Sequence, residues 1–304
     1  MNKFLALAAA SILAVLLAGP AQAAAPTVTP VGSAVNISSS FPGSPLQEAS
    51  GLGVSKHQTT LWSITDDNCT VYQMGLDGSG VGYYPGQPSS CPSGLSTSDF
   101  EGITYGPPPP GVTDDHFLYI ANENGNSIVK FNYQTPQFVS SKSLSSMANY
   151  SSSVTCDGTH TVADEFNGSD ANSGLEGITW DPTLNSFFVI KEKSPGLMIR
   201  ISADLSTIQA CKVLGFSVAV GGGAGDYSDI SYDSTRNLFW IVSDEAQKLY
   251  LYDWSTNAVV QGGSYPLGYA HGEGVAFNPG NGRLYIVTDN GNGNDSYLYT
   301  YSVQ

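Results

Sequence analysis

The sequence predicts an all-β protein, a five-bladed β-propeller of four-stranded antiparallel blades closed by an N-terminal strand. Three observations predict it. One pair of motifs recurs five times along the chain, the apolar residues alternate with a period of two and show no helical period, and turn residues separate the alternating segments.

Each copy opens with a small or acidic residue, a glycine and an aliphatic residue, and its second strand ends on an acid. The copies read Ser50-Gly51-Leu52 with 61–66 ending at Asp66, and Glu101-Gly102-Ile103 with 118–123 ending at Glu123. Glu176-Gly177-Ile178 follows with 187–192 ending at Glu192, then Ser228-Asp229-Ile230 with 239–244 ending at Asp244, and last Glu273-Gly274-Val275 with 284–289 ending at Asp289. The first marked residue precedes the acid by 16 positions in four copies and by 22 in the second, where the prolines of 107–110 lengthen the turn. A third alternating strand follows in every copy, at 71–74, 128–131, 197–201, 249–252 and 297–301. A fourth is visible at 209–216 and 258–265. The fifth copy ends at Gln304, straight after its third strand, so its outermost strand is expected from 28–37; such closure removes an exposed sheet edge.

Successive copies start 51, 75, 52 and 45 residues apart. The excess falls in 143–173, which is polar and carries neither motif, and a long loop insert is expected there rather than a sixth blade.

Lys3, an uncharged apolar run over 4–18, the Gly19-Pro20 break and Ala21-Gln22-Ala23 read as a secretory signal peptide, residues 1–23, cleaved after Ala23. The run is shorter than the roughly 20 residues that span a bilayer. A single propeller domain over 24–304, periplasmic or secreted and without a transmembrane anchor, is the expectation. Loss of Lys3 turns 11 basic residues into 10 against 26 acidic ones, a net charge of −16. Such a surface repels nucleic acid, whose binding needs clustered Lys and Arg, and it attracts divalent cations. Four cysteines in an exported chain suggest two disulfides. Three pairings are possible, and the pairs nearest in sequence are Cys69–Cys91 and Cys156–Cys211, each worth about 3 kcal/mol through loop closure.

In a blade the first strand lines the channel and the second runs antiparallel beside it. The midpoint of Glu176 and Glu192 falls in the 181–185 turn, so the two are expected to face each other, as are Glu273 with Asp289 and Glu101 with Glu123. Like charges opposite one another destabilise a sheet, and five blades crowd them at one channel mouth. Protonation, internal cations or a bound metal can relieve this. Only Lys191 and Lys193 flank the acids, while Arg236 and Arg283 belong to the opposite rim. An oxygen-only donor set with almost no histidine suits calcium, which takes six to eight oxygens at about 2.3–2.6 Å. The candidate ligands are Glu101, Glu176 and Glu273 with Ser228 or Asp229, and in a second tier Asp66, Glu123, Glu192, Asp244 and Asp289. The competing reading has these groups cap backbone amides while the glycines allow close packing. The runs 289–295 and 122–126 are rich in Asp and Asn but lack EF-hand spacing, and strand-to-strand turns explain them as well.

The stretches Glu48-Ala49-Ser50-Gly51-Leu52, Asp99-Phe100-Glu101-Gly102-Ile103, Leu175-Glu176-Gly177-Ile178 with Lys191-Glu192-Lys193-Ser194-Pro195, Asp226-Tyr227-Ser228-Asp229-Ile230 and Glu273-Gly274-Val275 resemble the SdiA-regulated family over about 45–304. The resemblance implies a five-bladed propeller distantly related to NHL repeats, with a bound calcium and no settled activity. The chain departs from the family at Asp289-Asn290-Gly291-Asn292, where a Glu-Pro-Asn pattern is usual, and in its long second and third inserts.

Three functions fit: an exported calcium-bound propeller that holds a small molecule or protein on the motif-bearing rim, a calcium-dependent hydrolase of the esterase, lactonase or phytase kind, and a structural module in which calcium only fastens the channel. Phosphate substrates are disfavoured by the lack of cations, and no Gly-x-Ser-x-Gly elbow is present. His271 reads as a rim residue with one hydrogen bond rather than a proton shuttle. His160, with Asp157, Asp164 and Glu165, reads as solvated loop. Trp180, Trp240 and Tyr285 read as core between blades rather than a sugar platform.

Overall fold

The computed structural model describes residues 24–66, 69–84, 99–167, 173–218, 225–289 and 295–304. The expected signal peptide lies outside them, as does Cys91, and with it the expected Cys69–Cys91 pairing.

Five antiparallel sheets form a ring. Their inner strands are Ala49–Val54, Phe100–Tyr105, Leu175–Asp181, Asp229–Asp233 and Gly272–Asn278, each packed against the inner strands of its neighbours. Outside them lie the second strands, Thr60–Thr65, Phe117–Asn122, Ser186–Lys191, Leu238–Ser243 and Arg283–Thr288, and then the third, Val71–Gly75, Ser127–Asn132, Leu197–Ser202, Lys248–Asp253 and Tyr297–Val303. Gly80–Tyr84, Gln137–Ser143, Ile208–Val213 and Ala258–Pro266 form the outer edges of four blades. The fifth edge comes from the N-terminal segment. It splits into Val28–Pro30 and Val35–Asn36, both antiparallel to Tyr297–Val303, with Val28 opposite Val303 and Val35 opposite Leu298. The ring closes with the N-terminal strand, as the sequence predicts.

The second strands are apolar on both faces because each lies between two neighbouring blades. In Ser186–Lys191, Phe187 and Val189 join the core shared with the second blade, and Phe188 and Ile190 the core shared with the fourth. Trp240 and Tyr285 are buried in such cores, and half-buried Trp180 packs against the core between the second and third blades, as expected.

The 143–173 insert is not a bare loop. Leu144, Met147, Val162 and Phe166 are buried against the third blade, and Val162–Phe166 is the one α-helix among the described residues. Thr161 caps it, accepting the Asp164 amide while the Asp164 carboxylate accepts the Thr161 amide. Cys156 and Cys211 form a disulfide that fastens this strap to the outer strand Ile208–Val213. Ala148 adds a bridge to Thr207 on the same edge, so the strap covers backbone that would otherwise invite pairing. Among the described residues no helix is long and apolar enough to cross a membrane.

Candidate metal centre

Four inner strands start with the same irregularity. Pairing with the second strand skips one residue between Ala49 and Gly51, Phe100 and Gly102, Leu175 and Gly177, and Gly272 and Gly274. The skipped residues are Ser50, Glu101, Glu176 and Glu273. A β-bulge leaves its extra residue out of the ladder and re-aims its side chain, and here all four line one pocket of about 240 Å³. The bulge also changes the expected pairing of acids. Glu176 stands against Lys191 and Ile190, and the Glu192 amide bonds instead to the Gly174 carbonyl. Likewise Glu123 bonds back to Asp99 and Asp289 to His271, so the second acid of each pair sits one step further out than the sequence midpoint gives.

The glycines after the bulges have a steric cause. A Cβ on Gly51 would lie 2.6 Å from the Glu101 carbonyl, one on Gly102 2.7 Å from that of Glu176, and one on Gly274 2.8 Å from Gly51. Only in the fourth blade is this position not glycine. It is Asp229, fully buried, and its side chain fills the space that the glycines leave. Oδ2 accepts the amides of Val275 at 2.9 Å and Leu52 at 3.4 Å, and Oδ1 accepts that of Ile230 at 2.8 Å. Burial drives this carboxyl well above the usual carboxylate range, and the surrounding amides, Ile178 among them, pull it back.

Of the ten candidate ligands, seven line the acidic pocket: Glu101, Glu176, Glu273, Asp66, Glu123, Glu192 and Asp289. Asp229 is engaged by amides beside it. Ser228 accepts the Asp244 amide, and Asp244 receives the backbone amide of His271, whose ring lies 3.5 Å from the same carboxylate. Two further carboxylates, Asp99 and Asp226, line the pocket and were not among the candidates. Both stand two residues before a marked position, Glu101 or Ser228, and that shared spacing was the signal for them.

The donors draw closest between the second and third blades. Oxygens of Asp99, Glu101 and Glu123 lie within 4.8 Å of one another, and so do those of Glu123, Glu176 and Glu192. Glu123 is common to both groups; its Oε1 accepts the Gly174 amide at 2.9 Å. Oε2 of Glu192 is buried with no hydrogen-bond partner among the described residues. Burial first, and then neighbouring carboxylates, push Glu101 and Glu176 well above the usual range, and Glu273 likewise. Glu123 is pushed up to about 7. Cations do little to relieve this. Lys193 pairs with Glu192, but buried Lys191 gives its ammonium to the carbonyls of Lys193 and Pro195.

Two smaller groups lie elsewhere. Asp114 and Asp115 sit with His116, and Asp157 and Glu165 with His160, where exposed His160 is raised by its hydrogen bond to Asp157.

The profile of the SdiA-regulated family matches residues 40–289, which contains every bulge described above. The chain belongs to the SdiA-regulated family. Among solved structures, this SdiA-regulated protein is similar to the glutaminyl cyclase of Myxococcus xanthus, with a TM-score of 0.55 and 11% identity over 93% of this chain and 100% of that one. It is also similar to a luciferin-regenerating enzyme, with a TM-score of 0.51 and 12% identity over 92% and 97% of the two chains. At such identities the likeness is one of fold. Comparison with curated proteins gives no match. In the SdiA-regulated chain the residues that resemble the family motif are therefore the bulges and the glycines that build the acidic mouth.

Proposed function

We propose that this protein is an exported propeller that binds calcium at the acidic channel mouth and uses that ion-centred rim to hold a small molecule or protein. The observation that carries the reading is the orphaned Oε2 of Glu192, a buried carboxylate oxygen within the Glu123–Glu176–Glu192 group. Carboxylates gathered and desolvated in this way need a counter-ion, and among the described residues Lys193 supplies one charge against nine lining carboxylates. Among the described residues the donors are oxygens alone, with no histidine or cysteine lining the pocket, and that chemistry suits a hard cation with an irregular shell. Glu123, Glu176 and Glu192 would hold it, with Glu101 and Asp99 adjacent. The disulfide on the strap supports an oxidising compartment, and the N-terminal sequence supports export.

A second reading, a calcium-dependent hydrolase, is favoured by Glu123 alone, because a carboxyl near 7 suits a general base. Calcium there would polarise an ester or phosphoryl oxygen. Phosphate esters fit less well, since Lys191 turns its ammonium away to carbonyls.

Metal analysis of the purified mature protein, with melts in EGTA and in calcium, tests the site. Bound calcium and a higher melting temperature are expected; no divalent ion and identical melts would remove the proposal. Turnover of esters, lactones and phytate, compared with Glu176→Gln, separates the two readings.

A further inference from the structure

The other mouth of the channel holds a second pocket of about 240 Å³, independent of the calcium reading. Leu52, Ile103, Ile178 and Ile230, which directly follow the glycine column, line its apolar part. Two residues further along each inner strand stands a second column: Val54, Tyr105, Trp180, Tyr232 and Phe277. Four of these five are aromatic, one from each of four successive blades.

Their polar atoms are not treated alike. The Tyr232 hydroxyl donates to Asn237 at 2.8 Å, and Val54 and Phe277 have no polar atom to satisfy. The Tyr105 hydroxyl and the Trp180 indole N–H, on adjacent blades, have no hydrogen-bond partner among the described residues, and both residues are half-buried in the pocket wall. Trp180 packs on Phe187, with ring centroids 4.8 Å apart. Buried Tyr and Trp normally find a partner for their polar ends. Both residues pack on the cores between blades and still line the same pocket, so their two donors can meet an acceptor held there.

The lining also limits the occupant's charge. Lys56 is the single charged residue in it among those described, and its ammonium is already paired with Asp115. A charged ligand would find no free counter-charge, whereas a neutral one loses nothing. The volume is about that of eight waters, which fits one ring with its substituents. A pyranose has apolar C–H faces for the aromatic and aliphatic lining and hydroxyl oxygens for the two donors.

We propose that this mouth binds a neutral pyranose-sized sugar ring, held by Tyr105 and Trp180. Trp180 then adds a binding role to the core packing that it shares with Trp240 and Tyr285. Asp229 and its amides lie between the two mouths, so sugar and cation bind without competing.

Saturation-transfer NMR with D-glucose, D-galactose and D-mannose tests this. Transfer to ring protons of at least one sugar is expected, unchanged by EGTA and in Glu176→Gln. The Tyr105→Phe/Trp180→Phe double variant keeps an aromatic ring at each position, a smaller one at 180, and removes both donors, and binding at least tenfold weaker is expected. Should that variant melt early, Tyr105→Phe alone, which loses one oxygen, is read instead and binds severalfold more weakly. No transfer from any of the three sugars, transfer that survives the substitutions, or transfer abolished by EGTA overturns the proposal.

Discussion

Oδ2 of Asp229 accepts the Val275 amide at 2.9 Å and so ties the inner strand of the fourth blade to that of the fifth. The Leu52 amide reaches the same oxygen from the first blade, so one carboxylate joins three blades at the channel axis. The close approach that demands glycine in the other four blades makes this possible.

Replacing Asp229 with Asn keeps the shape but turns one acceptor into a donor that faces amide donors. A disrupted buried charge network costs about 3–5 kcal/mol. Asp229→Asn should therefore lower Tm on the order of 10 °C in differential scanning calorimetry, given about 2–4 °C per kcal/mol for a chain near this size. Calcium stoichiometry should stay the same. Loss of calcium from a folded Asp229→Asn protein would return this residue to the ligand set.

Glu176→Gln should separate the two states of the acidic mouth. Without metal the variant carries at position 176 no group that must be either desolvated as a charge or protonated, and near neutral pH its Tm should rise by a few degrees, about 1–2 kcal/mol. With calcium at a hundred times its Kd, the native protein should gain about 2.7 kcal/mol, or about 5 °C. The variant should gain less than half of that. Melts of both proteins in EGTA and in calcium measure all four values, and an equal calcium gain in the variant counts against Glu176 as a ligand.

The fold was legible because the repeat is physical at every level. The bulge acid, the glycine and the aliphatic residue recur where each inner strand meets its neighbour, and the order of copies gives the order of blades. The site was legible as a set of acids but not in its register. A midpoint count places Glu176 opposite Glu192, and one bulged residue breaks the count. Asp99 and Asp226 stand two residues before the marked positions and are followed by Phe100 and Tyr227 rather than glycine, so the repeat does not mark them. The role of Asp229 could be read only from the ring as a whole, since its amide partners lie 177 and 46 residues away. The packing of the 143–173 strap depends on tertiary contacts with Ile208–Val213 that carry no local pattern.

The pH dependence of the metal-free protein follows from the direction of the shifts. Glu101, Glu176 and Glu273 stand well above the usual range in the folded state, and Glu123 stands at about 7. Between about pH 4.3, where an unfolded glutamate titrates, and pH 7, the native state holds more protons than the unfolded chain. Stability must then fall as pH rises through that window. Urea melts in EGTA should show the midpoint dropping from pH 5 to pH 7.5. Saturating calcium should flatten or reverse the trend, because the ion competes with protons for the same oxygens. A metal-free protein that grows more stable from pH 5 to pH 7.5 would contradict the desolvated acid cluster.

The strap gives the last prediction. Its disulfide spans 55 residues, and loop closure of that length is worth about 4 kcal/mol in the unfolded chain, above the general figure of about 3 kcal/mol for a shorter loop. A Cys156→Ala/Cys211→Ala variant should melt several degrees lower, and limited proteolysis should cut first within 144–173. The acidic mouth should nevertheless survive. Gly174, which donates to Glu123, is itself held by the Glu192 amide on its carbonyl and by Leu175 pairing with Lys191. Those contacts belong to the third blade and not to the strap. The calcium-dependent rise in Tm should therefore keep its native size in the variant, and a rise reduced by more than half would mean that the strap, and not the blade, sets the position of Glu123.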